Sequence, residues 1–134
     1  MAKTAEQALE EAVPAIGVER SKMYRDVVHL PVHQIGAKFE GMFALVIQTE
    51  EEVPDFVDDG WAETRPDWVG STVKLNGYKE VVRDDKKAAF LIEASRHAPD
   101  GSLMQTFEAI FTVENREGDW RLISRNPFNV KVAT

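Results

Sequence analysis

From residue 71 to residue 128 the chain is divided by turn signals into four strand-length pieces. They read "STVKLNGYKEVV" (71–82), "KAAFLIEASRH" (87–97), "SLMQTFEAIFTVE" (102–114) and "DWRLISRNPF" (119–128). β-Branched and aromatic residues recur in all of them, as pleated strands require. "RDDK", "APDG" and "NREG" lie between them, each short enough to close a hairpin. The run predicts an antiparallel meander. Asn76-Gly77 interrupts the first piece and marks a bulge or a turn.

The first seventy residues follow a different period. Thr4 is placed to cap a helix, with Gln7 at the capping-box position. Ala5, Ala8, Leu9, Ala12 and Val13 then repeat at helical spacing until Pro14 and Gly17. A second helix is expected over Val18–Val28, ended by Pro31. "LPVHQIG" (30–36) reads as a short strand, and "KFEGMFALVIQT" (38–49) continues extended with a bend at Gly41. Thr49 would cap a short helix over "EEEVPDFVDDGW" (50–61), and "TRPDW" (64–68) reads as a turn. Helices followed by a meander predict an α+β class, in one domain over residues 1–134.

Composition narrows the function. Sixteen basic residues oppose 23 acidic ones, a net charge of −7, and the basic ones are scattered. Nucleic acid demands a clustered basic footprint, so no nucleic-acid partner is expected. The absence of cysteine removes disulfides, thiolate metal sites and cysteine nucleophiles, and fits a cytoplasmic location. The longest apolar run, "MFALVI", has strand length, so no membrane association is expected. His29 and His33 are four apart, but Pro31 between them opposes a helix. On a strand they would stand about 13 Å apart, too far for one ion, so no metal is expected. Ser95 lacks a nucleophile-elbow context, and no phosphate-binding loop is present.

Side chains alternate along a strand, so parity sorts the candidates. If the "PDG" turn pairs residue 98 with 102, odd residues share one face. These are Leu91, Glu93, Ser95, His97, Gln105, Phe107, Ala109, Phe111, Ile123 and Arg125. Apolar walls with sparse polar groups describe a ligand pocket. The even residues Phe90, Ile92, Ala94, Ile110, Trp120 and Leu122, rimmed by Arg96 and Glu108, would then form an outer face buried in a dimer. A one-residue bulge would exchange partners between faces, and the reverse assignment would make Arg96 and Glu108 the pocket pair.

The order of elements, with several local sequences, resembles the NTF2-like superfamily, and within it the SnoaL-like branch. The resemblance rests on Leu30-Pro31 at the first strand, Gly60-Trp61 after the small helix, and Arg96 ahead of Asp100-Gly101. It continues in Thr106-Phe107-Glu108, then Gly118, Trp120, and Arg125 before Phe128. It covers most of residues 18 to 128. It implies helices packed on a strongly curved, mostly antiparallel sheet that encloses a conical pocket. Members include cofactor-independent isomerases, cyclases, dehydratases and lyases as well as non-catalytic modules, and most are dimers. The expected protein is therefore a small-molecule binder, and an acid/base enzyme acting without a cofactor on an apolar or aromatic substrate. His33 or Glu93 would be the base, and Arg125 would hold the oxyanion or pair with Glu93. Tyr24, His29, Trp61, His97, Phe107, Phe111 and Ile123 would line the ligand, with Trp61 and Trp68 flanking the segment that covers the mouth. A homodimer through the outer sheet face is expected. The alternative is a non-catalytic ligand-sensing or dimerisation module of the same fold.

Overall fold

The computed structural model describes residues 3–17, 24–38, 41–52 and 66–133. Helix α1 spans Ala5–Ala15 and is capped as its sequence predicts. The Gln7 backbone N–H donates to Thr4 Oγ1 at 3.1 Å, and the Thr4 N–H donates to Gln7 Oε1 at 2.9 Å. Two of the helix's orphan donors are thereby satisfied. Ala5, Ala8, Leu9, Ala12 and Val13 are all buried, so the helical stripe is the buried one.

The second helix ends one residue earlier than expected. Helix α2 spans Tyr24–Val27, and residues 18–23 lie outside the described ones. Val28 already belongs to strand β1, Val28–Lys38, which runs through Pro31. Strand β2, Gly41–Ile47, does not extend β1 but folds back on it antiparallel, with Lys38 opposite Gly41. One 3-10 turn covers Glu50–Glu52 and another Pro66–Trp68, while the rest of the expected small helix lies outside the described residues.

The meander is present as four long strands: β3 Thr72–Arg83, β4 Lys87–His97, β5 Leu103–Arg116 and β6 Asp119–Val132. They join β1 and β2 in one sheet of order β2-β1-β6-β5-β4-β3. Among the described strands, only β1 against β6 is parallel. The architecture is thus α+β, as the element order implies. Asn76 is a bulge, the residue skipped where β3 shifts register against β4 between Leu75 and Gly77. Asp84 and Asp100 fix the next two turns. Asp84 Oδ1 accepts from the N–H groups of Lys86 and Lys87, and Asp100 Oδ1 from the N–H and hydroxyl of Ser102.

Helix α1 packs on one face of this sheet, here called the inner face. Its apolar stripe meets Ala88, Phe90, Ile92 and Ala94 of β4, Ala109, Phe111 and Val113 of β5, and Leu122 of β6 in a single core. This corrects the expected division by parity. Phe90, Ile92, Ala94 and Leu122 are the core, none more than 2% exposed, and not an outer dimer face. The reason is one residue. His97 pairs with Leu103, but Arg96 pairs with Gln105, so Met104 is inserted as a bulge just after the turn. Even residues of β4 thereafter face odd residues of β5, and Phe90 lies opposite Phe111. A second inserted residue, Ile123, shifts β6 against β5, so Leu122 and Arg125 both point inward.

Candidate functional site

Arg125 stands on the inner face of β6, 7% exposed, directly opposite Phe111 of β5. On its other side the parallel register sets Gln34 of β1 against it, 4% exposed. Adjacent strands lie about 4.8 Å apart, so the two side chains leave the sheet as neighbours. The pair is also where two strands part. Among the described residues, pairing between β1 and β6 ends at Gln34 and Arg125. Beyond it β1 continues to Lys38 beside β2 alone, and β6 continues to Val132 beside β5 alone. Pro127 follows shortly on β6. It carries no N–H donor and therefore suits a strand that has lost one neighbour.

This arrangement has a definite chemistry. A guanidinium stays charged in a protein, and its planar fork of donors matches carboxylate geometry. An amide beside it offers a donor and an acceptor. Around them Val32, Phe90, Phe111 and Val113 are nearly inaccessible. Polar recognition set in an apolar wall orients a ligand rather than solvating it.

A second buried arginine lies elsewhere on the inner face. Arg96 of β4 is 4% exposed, sits over the Trp68 ring at 4.1 Å, and donates from Nη1 to Ser71 Oγ at 2.8 Å. Trp68, Ala98 and Met104 make a small core of their own beneath it. Arg96 is opposite Gln105 and Arg125 opposite Phe111. Six strand positions separate them, about 20 Å at the usual rise, so they are two sites. Arg96 ties the segment before β3 to the hairpin after β4.

Of the other expected residues that the structure describes, Phe111 lies beside Arg125, while Glu93, His33, His29 and His97 do not. Glu93 is exposed on the outer face, between the buried Ile92 and Ala94 and opposite Glu108. Glu93 and Arg125 therefore lie on opposite sides of the sheet, and the expected ion pair does not form. Glu108 shares that outer face, so it is no pocket partner for Arg96 either; its Oε1 accepts from Asn129 Nδ2 at 2.7 Å. His33 is exposed, on the side of β1 opposite Val32 and Gln34. His29 is buried and donates from Nε2 to the carbonyl oxygen of Asp119 at 2.7 Å, which pins β1 to the last hairpin instead of facing a ligand.

His97 also belongs to the outer side, with Nε2 2.8 Å from Ser95 Oγ and Nδ1 3.3 Å from the Gly101 carbonyl. Phe111 lines the inner face beside Arg125, and Phe107 packs against the same core farther along β5. Ile123 is the half-buried bulge next to this wall. Tyr24 lies in α2, with its side chain outside the described parts, and Trp61 lies outside the described residues. Gln34 was not among the expected site residues. Its signal was present in "PVHQIG", where it shares the face of Val32. Among the described residues no group of three or more metal-ligating side chains occurs, and no helix is long and apolar enough to cross a membrane.

No family model matches the chain, and no curated protein matches its sequence. Solved structures do match its fold. A cystatin-like protein of unknown function from Nostoc punctiforme is 16% identical, with a TM-score of 0.64 over 95% of this chain and 93% of that one. An NTF2-like protein of unknown function from Shewanella baltica is 14% identical, with a TM-score of 0.57 over 96% and 92%. A provisionally assigned scytalone dehydratase from Novosphingobium aromaticivorans is 9% identical, with a TM-score of 0.56 over 96% and 85%. The chain therefore has the NTF2-like, or cystatin-like, cone fold. Identities this low fix the fold alone, and the fold hosts many functions.

Proposed function

We propose that the protein binds a small molecule with an apolar or aromatic body and one anionic oxygen-bearing group, held on the inner face by Arg125 and Gln34. The observation that carries this reading is their placement as buried neighbours at the point where β1 leaves β6. Opening the sheet there gives a ligand a route to a charge that the core otherwise encloses. The dehydratase name of one fold neighbour agrees with a ligand-binding cone. Acid/base catalysis by His33 or Glu93 does not follow, because both lie on the outer face and cannot reach a ligand beside Arg125.

Anilinonaphthalene sulfonate, an aromatic anion, is a suitable probe. It should bind saturably, and Arg125→Met should weaken it by about tenfold or more, the loss of one charge-assisted hydrogen bond. Equal affinity in both proteins, with both folded by circular dichroism, would remove Arg125 from the site.

The outer face favours a second role beside the first. Leu91 and Ile110 lie directly opposite each other there, both half-buried, and Phe128 is 46% exposed. This cluster is our candidate for the contact between two copies of the chain. Of the residues that parity assigns to a dimer face, it keeps Ile110 alone.

A further inference from the structure

Ser95 and His97 carry a chemistry that the inner-face ligand does not use. They are alternate residues of β4, so both side chains leave its outer face, away from Arg125. Ser95 Oγ is 2.8 Å from His97 Nε2. The other ring nitrogen, Nδ1, is 3.3 Å from the Gly101 carbonyl oxygen, which can only accept. The ring proton is therefore on Nδ1, and Nε2 is left to accept the hydroxyl proton of Ser95. Asn76 Nδ2 donates to the same Ser95 Oγ at 2.9 Å.

A hydroxyl bonded to an imidazole that a third group holds in place is the arrangement that activates a weak nucleophile. Here a straight strand presents it, so the pair is recognised by geometry and roles rather than by a sequence motif. The Asn76 amide adds a donor close to where an oxyanion forms when the hydroxyl adds to a carbonyl. Ser95 is 5% exposed, which screens its hydroxyl from bulk water. It still borders open space. Asn76, which bonds to it, and Thr106, directly opposite it on β5, both line a groove of about 300 Å³. Glu93 and Glu108 line the same groove and disfavour an anionic occupant. Ser95 stands about 13 Å along β4 from Leu91, away from the contact assigned to two copies of the chain.

We propose that Ser95 is a nucleophile for acyl transfer, with His97 as its general base, acting on a small ester that carries no negative charge. Ser95 Oγ forms a bond to the acyl carbon while its proton passes to His97 Nε2. The bond from the acyl carbon to the ester oxygen breaks, and the proton on Nε2 goes to the departing alcohol. Water then attacks the acyl carbon and gives a proton to Nε2. The bond from the acyl carbon to Oγ breaks, and that proton restores the Ser95 hydroxyl. The products are an acid and an alcohol, and nothing is oxidised or reduced.

The probe is p-nitrophenyl acetate, added to the intact folded protein and quenched in acid during turnover. Trypsin releases Ala88–Arg96, in which Ser95 is the only hydroxyl and no lysine occurs, so a stable acetyl group there reports Ser95. That peptide should be acetylated in folded wild type about a hundredfold or more faster than in urea-unfolded wild type, the contribution of a placed general base. Folded His97→Gln should lose the same factor. In Ser95→Ala, folded by circular dichroism, the peptide should carry no acetyl. A folded wild type acetylated at Ser95 no faster than the unfolded chain would overturn the proposal. So would folded His97→Gln labelled at the wild-type rate.

Discussion

Arg125 and Arg96 are both buried cations, but their surroundings give them different work. Arg96 is stacked on Trp68 and bonded to Ser71, contacts that hold two segments together. Trp68→Ala removes a large buried ring and the surface on which Arg96 lies. It should lower unfolding stability by about 3 kcal/mol or more, measured by urea denaturation. A loss near zero would mean that the small core of Trp68, Ala98 and Met104 contributes nothing to folding. Arg125 has Gln34 and Phe111 as its neighbours at the edge of a split in the sheet. The alternation sets Arg125 on one face with Phe111 and leaves its direction, inward or toward water, open. Its neighbour was not legible either. Glu93 was drawn to it by parity alone, and a single inserted methionine reverses parity between β4 and β5. Gln34 carries a weaker chemical signal in the sequence than His29 and His33 near it.

Most elements were legible from period and turn chemistry: the capped helix, the ends of β4, the bulge at Asn76, and the hairpins. The elements misread were those in which a proline or glycine has more than one use. Pro31 reads as both the end of the second helix and part of the first strand, but that strand already begins at Val28; Gly41 reads as a bend yet begins β2. The two aspartate turns give a further expectation at this scale. The backbone N–H groups of Lys86 and then Lys87 hold the Asp84 carboxyl below its ordinary value. The hydroxyl and then the N–H of Ser102 do the same for Asp100. A depressed value in the folded state stabilises it above the ordinary carboxylate range and is lost as pH falls through the lowered value. Asp84→Asn and Asp100→Asn should therefore melt earlier than wild type at neutral pH, with the difference shrinking in acid. A difference independent of pH would show that these carboxylates do not tie the turns through charge.

As a whole, the molecule is a sheet with two unlike faces. One is closed by α1 around an apolar core, and the other presents Leu91, Ile110 and Phe128 among carboxylates. Light scattering during gel filtration should show a dimer for wild type and a monomer for Ile110→Glu; an unaffected dimer would place the contact elsewhere. The edge strand β3 is blunted against extension by register shifts on both sides of Gly77–Glu80 and by exposed Lys79 and Glu80. Face-to-face contact is thus the more accessible form of self-association. The central claim concerns the inner face: a buried Arg125 recognises an anionic oxygen. Calorimetric titration with an aromatic carboxylate and its neutral amide tests this most directly. Wild type should prefer the carboxylate by about tenfold or more, and folded Arg125→Met should lose that preference. Wild type binding both equally, or Arg125→Met keeping the preference, would contradict the account.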